Sequence, residues 1–183
     1  FPDKTAFSYK NDPKDEDTVK VTFSQVRRDV RGLGTALTEM GCRDKHCAII
    51  GGCSYGWIIT YFALMSIGAV TVPLDKDWTG EDLAATVKRA ECDFVFYGSE
   101  ALSKTDAIKA LSPDIKFICM WGEARQGEET VLGLSERGNR LYNAGDNSYY
   151  DYRINPDRMA SIVFTSGTTG RGKGVMLSQT NIV

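Results

Sequence analysis

No charged residue occurs from Cys47 to Leu74, and this apolar stretch is cut by Gly51, Gly52, Gly56, Gly68 and Pro73. An unbroken apolar run of about 18 residues or more reads as a membrane span. Here the glycines and the proline divide the run into a strand from Cys47 to Gly51, a helix from Ser54 to Ile67, and a strand from Ala69 to Val72 that Pro73 ends. Each piece has the length of a buried element, so no membrane span is expected. The helix is apolar on nearly every side, which predicts burial all round. A strand, helix and strand that are all apolar fit the middle of a parallel sheet covered on both faces.

The flanking sequence repeats the alternation. Thr5 to Tyr9 and Val19 to Phe23 read as a surface hairpin joined by the charged loop NDPKDEDT. Thr22 and Gln25 form a capping box, with Val21 placed to staple onto Val26, so a helix starts here. Its apolar stripe is Val26, Val30, Leu33, Leu37 and Met40, and Gly41 stands just past its end. Thr79 with Asp82 starts another helix, through Leu83, Val87 and Ala90, and Ser103 with Asp106 repeats the device. Phe94 to Tyr97, Ile115 to Trp121 and Met159 to Thr165 read as buried strands. From Gly122 to Arg158 the pattern loosens into a surface excursion with one helix, Val131 to Leu141. The expected fold is α/β, a mostly parallel sheet with helices on both faces and right-handed crossovers.

Lys and Arg total 22 against 24 Asp and Glu, a formal charge of −2 with no basic cluster, so nucleic acid is not an expected partner. Cys42, Cys47, Cys53, Cys92 and Cys119 are odd in number, scattered and mostly set in apolar runs. They read as reduced thiols of a cytoplasmic protein. A metal reading would recruit Cys42, His46, Cys47 and Cys53, whose spacing lacks the paired pattern of structural zinc sites; no metal ligand is assigned.

The chemistry concentrates in TSGTTGRGKG, Thr165 to Gly174, directly after a buried strand. Glycines let a backbone turn and bring its N–H groups close to an anion; hydroxyls donate, and Arg171 and Lys173 bring positive charge. Such a loop suits phosphates, and open α/β sheets bind ligands beyond the carboxyl ends of their strands. One reading is the nucleotide-hydrolase P-loop, for Gly167, Gly172 and Lys173 fit its spacing. Gly174, however, stands where a hydroxyl should hold magnesium, and Gly174 to Leu177 read as a strand, with Ser178 capping a later helix, where a P-loop lysine would open a helix.

The segment YDYRINPDRMASIVFTSGTTGRGKGVMLSQTNIV resembles the signature region of the adenylate-forming superfamily, which includes acyl-CoA synthetases, luciferases and peptide-synthetase adenylation domains. The family pattern TSGTTGxPKGV is matched at Thr165, Ser166, Gly167, Thr168, Thr169, Gly170, Lys173, Gly174 and Val175. It is broken at Gly172, where the family usually has proline; glycine there should loosen the loop, because proline fixes φ. FPDKTAFSY and GWIITYFALMSIGAVTVPLD resemble the family's opening strand and buried helix and strand, so the resemblance covers nearly the whole chain.

The resemblance implies that a carboxylate attacks the α-phosphate of ATP, pyrophosphate leaves, and a thiol such as coenzyme A takes the acyl group. Carried over by motif position, Thr165, Ser166, Thr168 and Thr169 would donate hydroxyls to the phosphates, Gly167 and Gly170 would admit them, and Lys173 would supply charge. Mg2+ would sit on the phosphates rather than on a side chain of this chain. Arg171 occupies a variable family position and reads as solvated. Trp57, Tyr61 and Phe62 are either core or the lining of an acyl channel. No residue here is assigned to catalysis.

The chain begins at Phe1 and stops soon after the loop. It is therefore expected to be residues 1–183 of an incomplete N-terminal AMP-binding domain, its first subdomain, without the C-terminal domain and inactive alone. VMLSQTNI resembles long-chain acyl-CoA synthetases, which points to a fatty acid as the small-molecule carboxylate. A peptide-synthetase-type adenylation domain, a P-loop hydrolase and a non-catalytic anion-binding or interaction module are the alternatives. The last would expose a sticky sheet edge.

Overall fold

A computed structural model of the chain describes residues 1–10, 14–165 and 172–182. β1 (Thr5–Tyr9) and β2 (Val19–Thr22) form the antiparallel hairpin, and Phe7 and Tyr9 pack on Tyr55, the Tyr9 ring stacked 5.7 Å away. The main sheet is built from β3 (His46–Ile50), β4 (Val70–Leu74), β5 (Cys92–Gly98), β6 (Lys116–Trp121), β7 (Glu129–Thr130), β8 (Met159–Thr165) and β9 (Lys173–Ser178). Its order is β7-β6-β5-β3-β4-β8-β9, and every neighbouring pair is parallel except β8 with β9.

Alternation along the central strands assigns side chains to two cores. Cys47 and Ile49 of β3, with Phe94 and Phe96 of β5, face α1 (Phe23–Glu39), α2 (Tyr55–Ser66) and α5 (Val131–Asn143). Ala48, Ile50, Val95 and Tyr97 face α3 (Gly80–Arg89) and α4 (Thr105–Leu111). Helix starts follow the expected chemistry: Thr22, Ser54, Thr79 and Thr130 each accept a backbone N–H three residues on, at 3.1 to 3.3 Å. Gly41 takes φ +80° after α1, the left-handed turn that glycine makes at least cost.

Three local expectations are corrected. α2 is not buried all round: Phe62 is 48% exposed, and Trp57 and Tyr61 are half-buried, because the sheet and α1 cover only part of its circumference. Pro73 does not end its strand; it lies inside β4 opposite Ile49, where the ladder to β8, held at Thr71 with Ser161, has already run out and no N–H is demanded. Ser103 is not a cap. The chain enters α4 through a 3-10 turn, Ser99–Lys104, whose tighter hydrogen bonds serve the donors that a cap would have met.

Finally, the stretch from Gly122 to Arg158, exposed over most of its length and carrying the expected helix, also completes the core. Val131 and Leu134 of α5 are fully buried, β7 extends the sheet, and α6 (Ser148–Asp151) brings Tyr149 onto the core. Its glycines and tyrosines have a packing role. α5 crosses α1 so closely that a Cβ on Gly138 would stand 1.7 Å from the carbonyl oxygen of Gly32. Arg31 lies 3.9 Å over the Tyr142 ring and donates to Asn139 Oδ1 at 2.6 Å, lining the same contact. Among the described residues no helix is long and apolar enough to cross a membrane.

The α1–α5 crossing generates a test. Gly138→Ala should destabilise the chain by about 2–3 kcal/mol, because the added methyl meets backbone that cannot move aside. Leu132→Ala, at a side chain 62% exposed on the same helix, should change stability by less than about 0.5 kcal/mol. Denaturant unfolding of both variants distinguishes a backbone-limited crossing from a loose one.

Candidate functional site

The parallel strands end together along one edge of the sheet, and the glycine and hydroxyl loop leaves from that edge. β8 is fastened at its base by reciprocal hydroxyls: Thr71 Oγ1 donates to Ala160 O, and Ser161 Oγ donates to Thr71 O, both at 3.2 Å and both side chains buried. Beyond Ser161 the strand leaves β4 and pairs with β9 alone, down to Thr165 opposite Lys173. Thr165 Oγ1 donates to the Lys173 carbonyl at 3.5 Å, and both residues are exposed.

The structure thus sets two of the predicted loop residues side by side at the mouth. Ser166, Gly167, Thr168, Thr169 and Gly170, with Arg171, lie outside the described residues. Lys173 opens a strand antiparallel to β8, and the next helix, α7 (Gln179–Ile182), starts six residues later. The hydrolase P-loop needs a helix N-terminus at its lysine to aim N–H groups at phosphate. That arrangement is not the one found here.

The two glycines flanking Lys173 make close approaches. A Cβ on Gly172 would stand 2.7 Å from Thr165 O, and one on Gly174 would meet Ile162 at 3.0 Å and the Phe164 ring at 3.2 Å. Glycine at 172 is therefore fitted to the stem: the backbone passes too close to Thr165 for a side chain. Arg89, at the end of α3, donates to Gly172 O at 2.5 Å, and its guanidinium lies 4.9 Å from the Phe164 ring centroid. No local pattern points to this contact, because the partners are far apart along the chain.

A cleft of about 340 Å³ lies between the ends of β3 and β4, lined by Gly51, Cys53, Trp57, Pro73, Leu74 and Asp75. The three aromatics considered for an acyl channel separate. Trp57 lines the cleft, Tyr61 stacks behind it at 5.3 Å, and Phe62 faces a different groove with Phe23, Val26 and Tyr149. On the other side of β3 the crevice is filled. The Trp121 indole occupies the space where Cβ atoms on Gly51 and Gly98 would stand, at 2.4 and 2.2 Å, and Glu100 Oε1 accepts the Gly52 N–H at 2.6 Å. A Gly-Gly pair after a strand was the available signal for this corner; Trp121 and Glu100 carried none.

The cleft's thiol, Cys53, is exposed, while Cys42, Cys47 and Cys119 are buried and all five cysteines are free. Burial, reinforced by the Asp93 charge, pushes the Cys92 thiol up to about 12, and burial raises Cys47 strongly as well. These thiols stay protonated and unreactive. Near the same edge, Lys76 holds the Asp77 carboxyl below the usual range by hydrogen bond and charge. Among the described residues no three His, Cys, Asp or Glu side chains surround a common point.

Comparison with known proteins gives a consistent result. Residues 1–183 match the family model described as AMP-binding enzyme. A chloroplastic long-chain-fatty-acid–[acyl-carrier-protein] ligase of Arabidopsis thaliana is 26% identical over 94% of the chain and 26% of its own length. A long-chain-fatty-acid–CoA ligase of Mycobacterium tuberculosis is 27% identical over 89% of the chain and 27% of its length. The chain thus spans about a quarter of these curated relatives. Among solved structures, a long-chain-fatty-acid-CoA ligase from Archaeoglobus fulgidus superposes with a TM-score of 0.74 at 21% identity, over 96% of this chain and 33% of that one. An anthranilate CoA ligase in complex with anthranoyl-AMP gives a TM-score of 0.74 at 17% identity, over 88% and 30%. At these identities the structures establish a shared fold.

The stem geometry reverses the expectation for position 172. Restoring the motif's proline, Gly172→Pro, should lower the thermal midpoint instead of raising it, since the ring would press on Thr165 O and a proline stabilises only where the native backbone already accepts it. A midpoint raised by the substitution would show that the stem tolerates the ring.

Proposed function

The chain belongs to the AMP-binding enzyme family, and from that premise we infer that it is the front part of the large domain of an ATP-dependent acyl-CoA synthetase. We assign the reaction as adenylation of a carboxylic acid, with pyrophosphate released, followed by transfer of the acyl group to the thiol of coenzyme A. The observation that supports this reading is the antiparallel β8–β9 stem, in which Thr165 and Lys173 are cross-strand partners and both exposed.

The residues fit a polyphosphate chemically. Lys173 is exposed and starts a strand, so its cation is free to meet the charge that develops on the leaving pyrophosphate. Ser166, Thr168 and Thr169 are proposed as hydroxyl donors, joined by Thr165 once its hydroxyl turns from the Lys173 carbonyl to the phosphates, with Gly167 and Gly170 admitting them. Mg2+ bound to the phosphates would neutralise part of the same charge. The Trp57 cleft is proposed for the acyl group or the adenylate, its indole offering an apolar wall.

Two relatives are named for long-chain fatty acids, and that supports a fatty acid as the substrate class. One of them is named for an acyl-carrier protein rather than coenzyme A, so a carrier thiol is the specific rival acceptor. The five free cysteines suit a reducing compartment, which supports a cytoplasmic location. Residues for adenine, ribose and the reacting carboxylate are proposed to lie in the part that this chain does not span. The 183 residues alone should then catalyse neither step.

The test is carboxylate-dependent exchange of pyrophosphate into ATP by the longer protein that carries this chain, across fatty, aromatic and amino acids. Exchange that requires a fatty acid, and that falls roughly 100-fold or more in Lys173→Ala, is expected. ADP and phosphate released without any carboxylate would overturn the assignment. Supplying coenzyme A or a carrier protein then identifies the acceptor.

A further inference from the structure

The loop stem is tied to the body of the sheet by one side chain that no motif contains. Arg89 closes α3, is itself exposed, and touches β8 and the residue before β9 at once. On β8 its guanidinium stacks 4.9 Å over the Phe164 ring, the residue before Thr165. On the β9 side it donates through Nη2 to the carbonyl of Gly172, the residue before Lys173, at 2.5 Å. The two contacts therefore flank the cross-strand pair of Thr165 and Lys173.

The glycines make this arrangement possible. Phe164 lies opposite Gly174, and its ring fills the space where a Cβ on Gly174 would stand, within 3.2 to 3.3 Å. A ring laid over a cross-strand glycine presents a face to a cation, and a planar guanidinium can stack and donate together. At Gly172 a Cβ would stand 2.7 Å from Thr165 O, so the residue whose carbonyl Arg89 reaches lies close against the backbone of Thr165.

At this end β8 keeps no ladder to β4 and is held to the body by the packing of Ile162 and Phe164 on the core. Its ladder to β4 is confined to Thr71 with Ser161, well before the loop. A stem so weakly paired would leave Thr165 and Lys173 free to sample many positions, and ATP binding would have to supply their ordering. A proline at position 172 is no remedy here, because its ring would meet Thr165 O. This chain has glycine there, and a cation anchored on a separate helix.

We propose that Arg89 is a positioning residue for the phosphate loop. It ties Phe164 of β8 and Gly172, the residue before β9, to α3, so that Lys173 and Thr165 are set before the nucleotide arrives. This rests on the reading of the loop as an ATP-phosphate site.

The experiment uses Arg89→Met and Arg89→Lys in two measurements. In the longer protein, Arg89→Met should raise KM for ATP in carboxylate-dependent pyrophosphate exchange roughly fivefold while kcat stays within about twofold, the split expected when an ordering contact outside the chemistry is lost. Arg89→Lys, which keeps a cation on the ring but loses the planar fork, should fall between. In the 183-residue chain, amide hydrogen exchange around Thr165, Lys173 and Gly174 should speed up in Arg89→Met, with α3 and β5 unchanged.

An unchanged KM in a protein that exchanges normally would overturn the proposal. So would a fall in kcat and thermal midpoint with KM unaltered, which would mark Arg89 as structural support only. If the unsubstituted protein shows no carboxylate-dependent exchange at all, the adenylation reading fails. The amide measurement then decides the tie by itself, and unaltered exchange at the stem refutes it.

Discussion

Burial of β3 on both faces is the constraint from which the rest of the molecule follows. Cys47, Ala48, Ile49 and Ile50 are all fully buried, and consecutive side chains enter opposite cores. Both cores must therefore be closed by helices, and neighbouring strands must supply the backbone partners that water cannot. β4 and β5 pair with β3 in register on its two sides, so three strand ends come to one edge with helices departing to opposite faces. A crevice at that edge is the geometric result.

The two sides of β3 use that edge differently. Toward β5, Trp121 lies over Gly51 and Gly98 and closes the gap, so that side is packing. Toward β4, the cleft stays open and carries Trp57, Cys53 and Asp75. β8 stands next to β4, on the side of this open half.

The stem itself is a compromise between attachment and freedom. Buried hydroxyls of Thr71 and Ser161 fix the base of β8, where water is excluded and each hydrogen bond counts for most. Past that point β8 has only β9 as a partner, and β9 is the sheet's edge, with Val175 and Met176 exposed. Exposed apolar side chains on an edge strand normally call for cover.

Local chemistry was legible in the sequence. Helix starts at Thr22, Ser54 and Thr79, the turn at Gly41, the apolar strands and the loop with its following strand all depend on residues within a few positions of one another. The α/β class followed from them, and so did the departure from the P-loop at Gly174 to Leu177. What sequence could not specify were contacts between distant segments: Arg89 on Gly172, Trp121 in the space left by Gly51 and Gly98, Gly138 against Gly32, and the part of α2 left uncovered at Phe62. A glycine is read locally as a turn or a loss of rigidity, whereas the approach of another backbone or ring is decided by tertiary packing. The sequence by itself therefore determined most of the elements, because caps, turns and apolar runs act within a few residues; the tertiary structure alone decided which distant side chains meet, Arg89 with Gly172 among them, and which half of the crevice stays open.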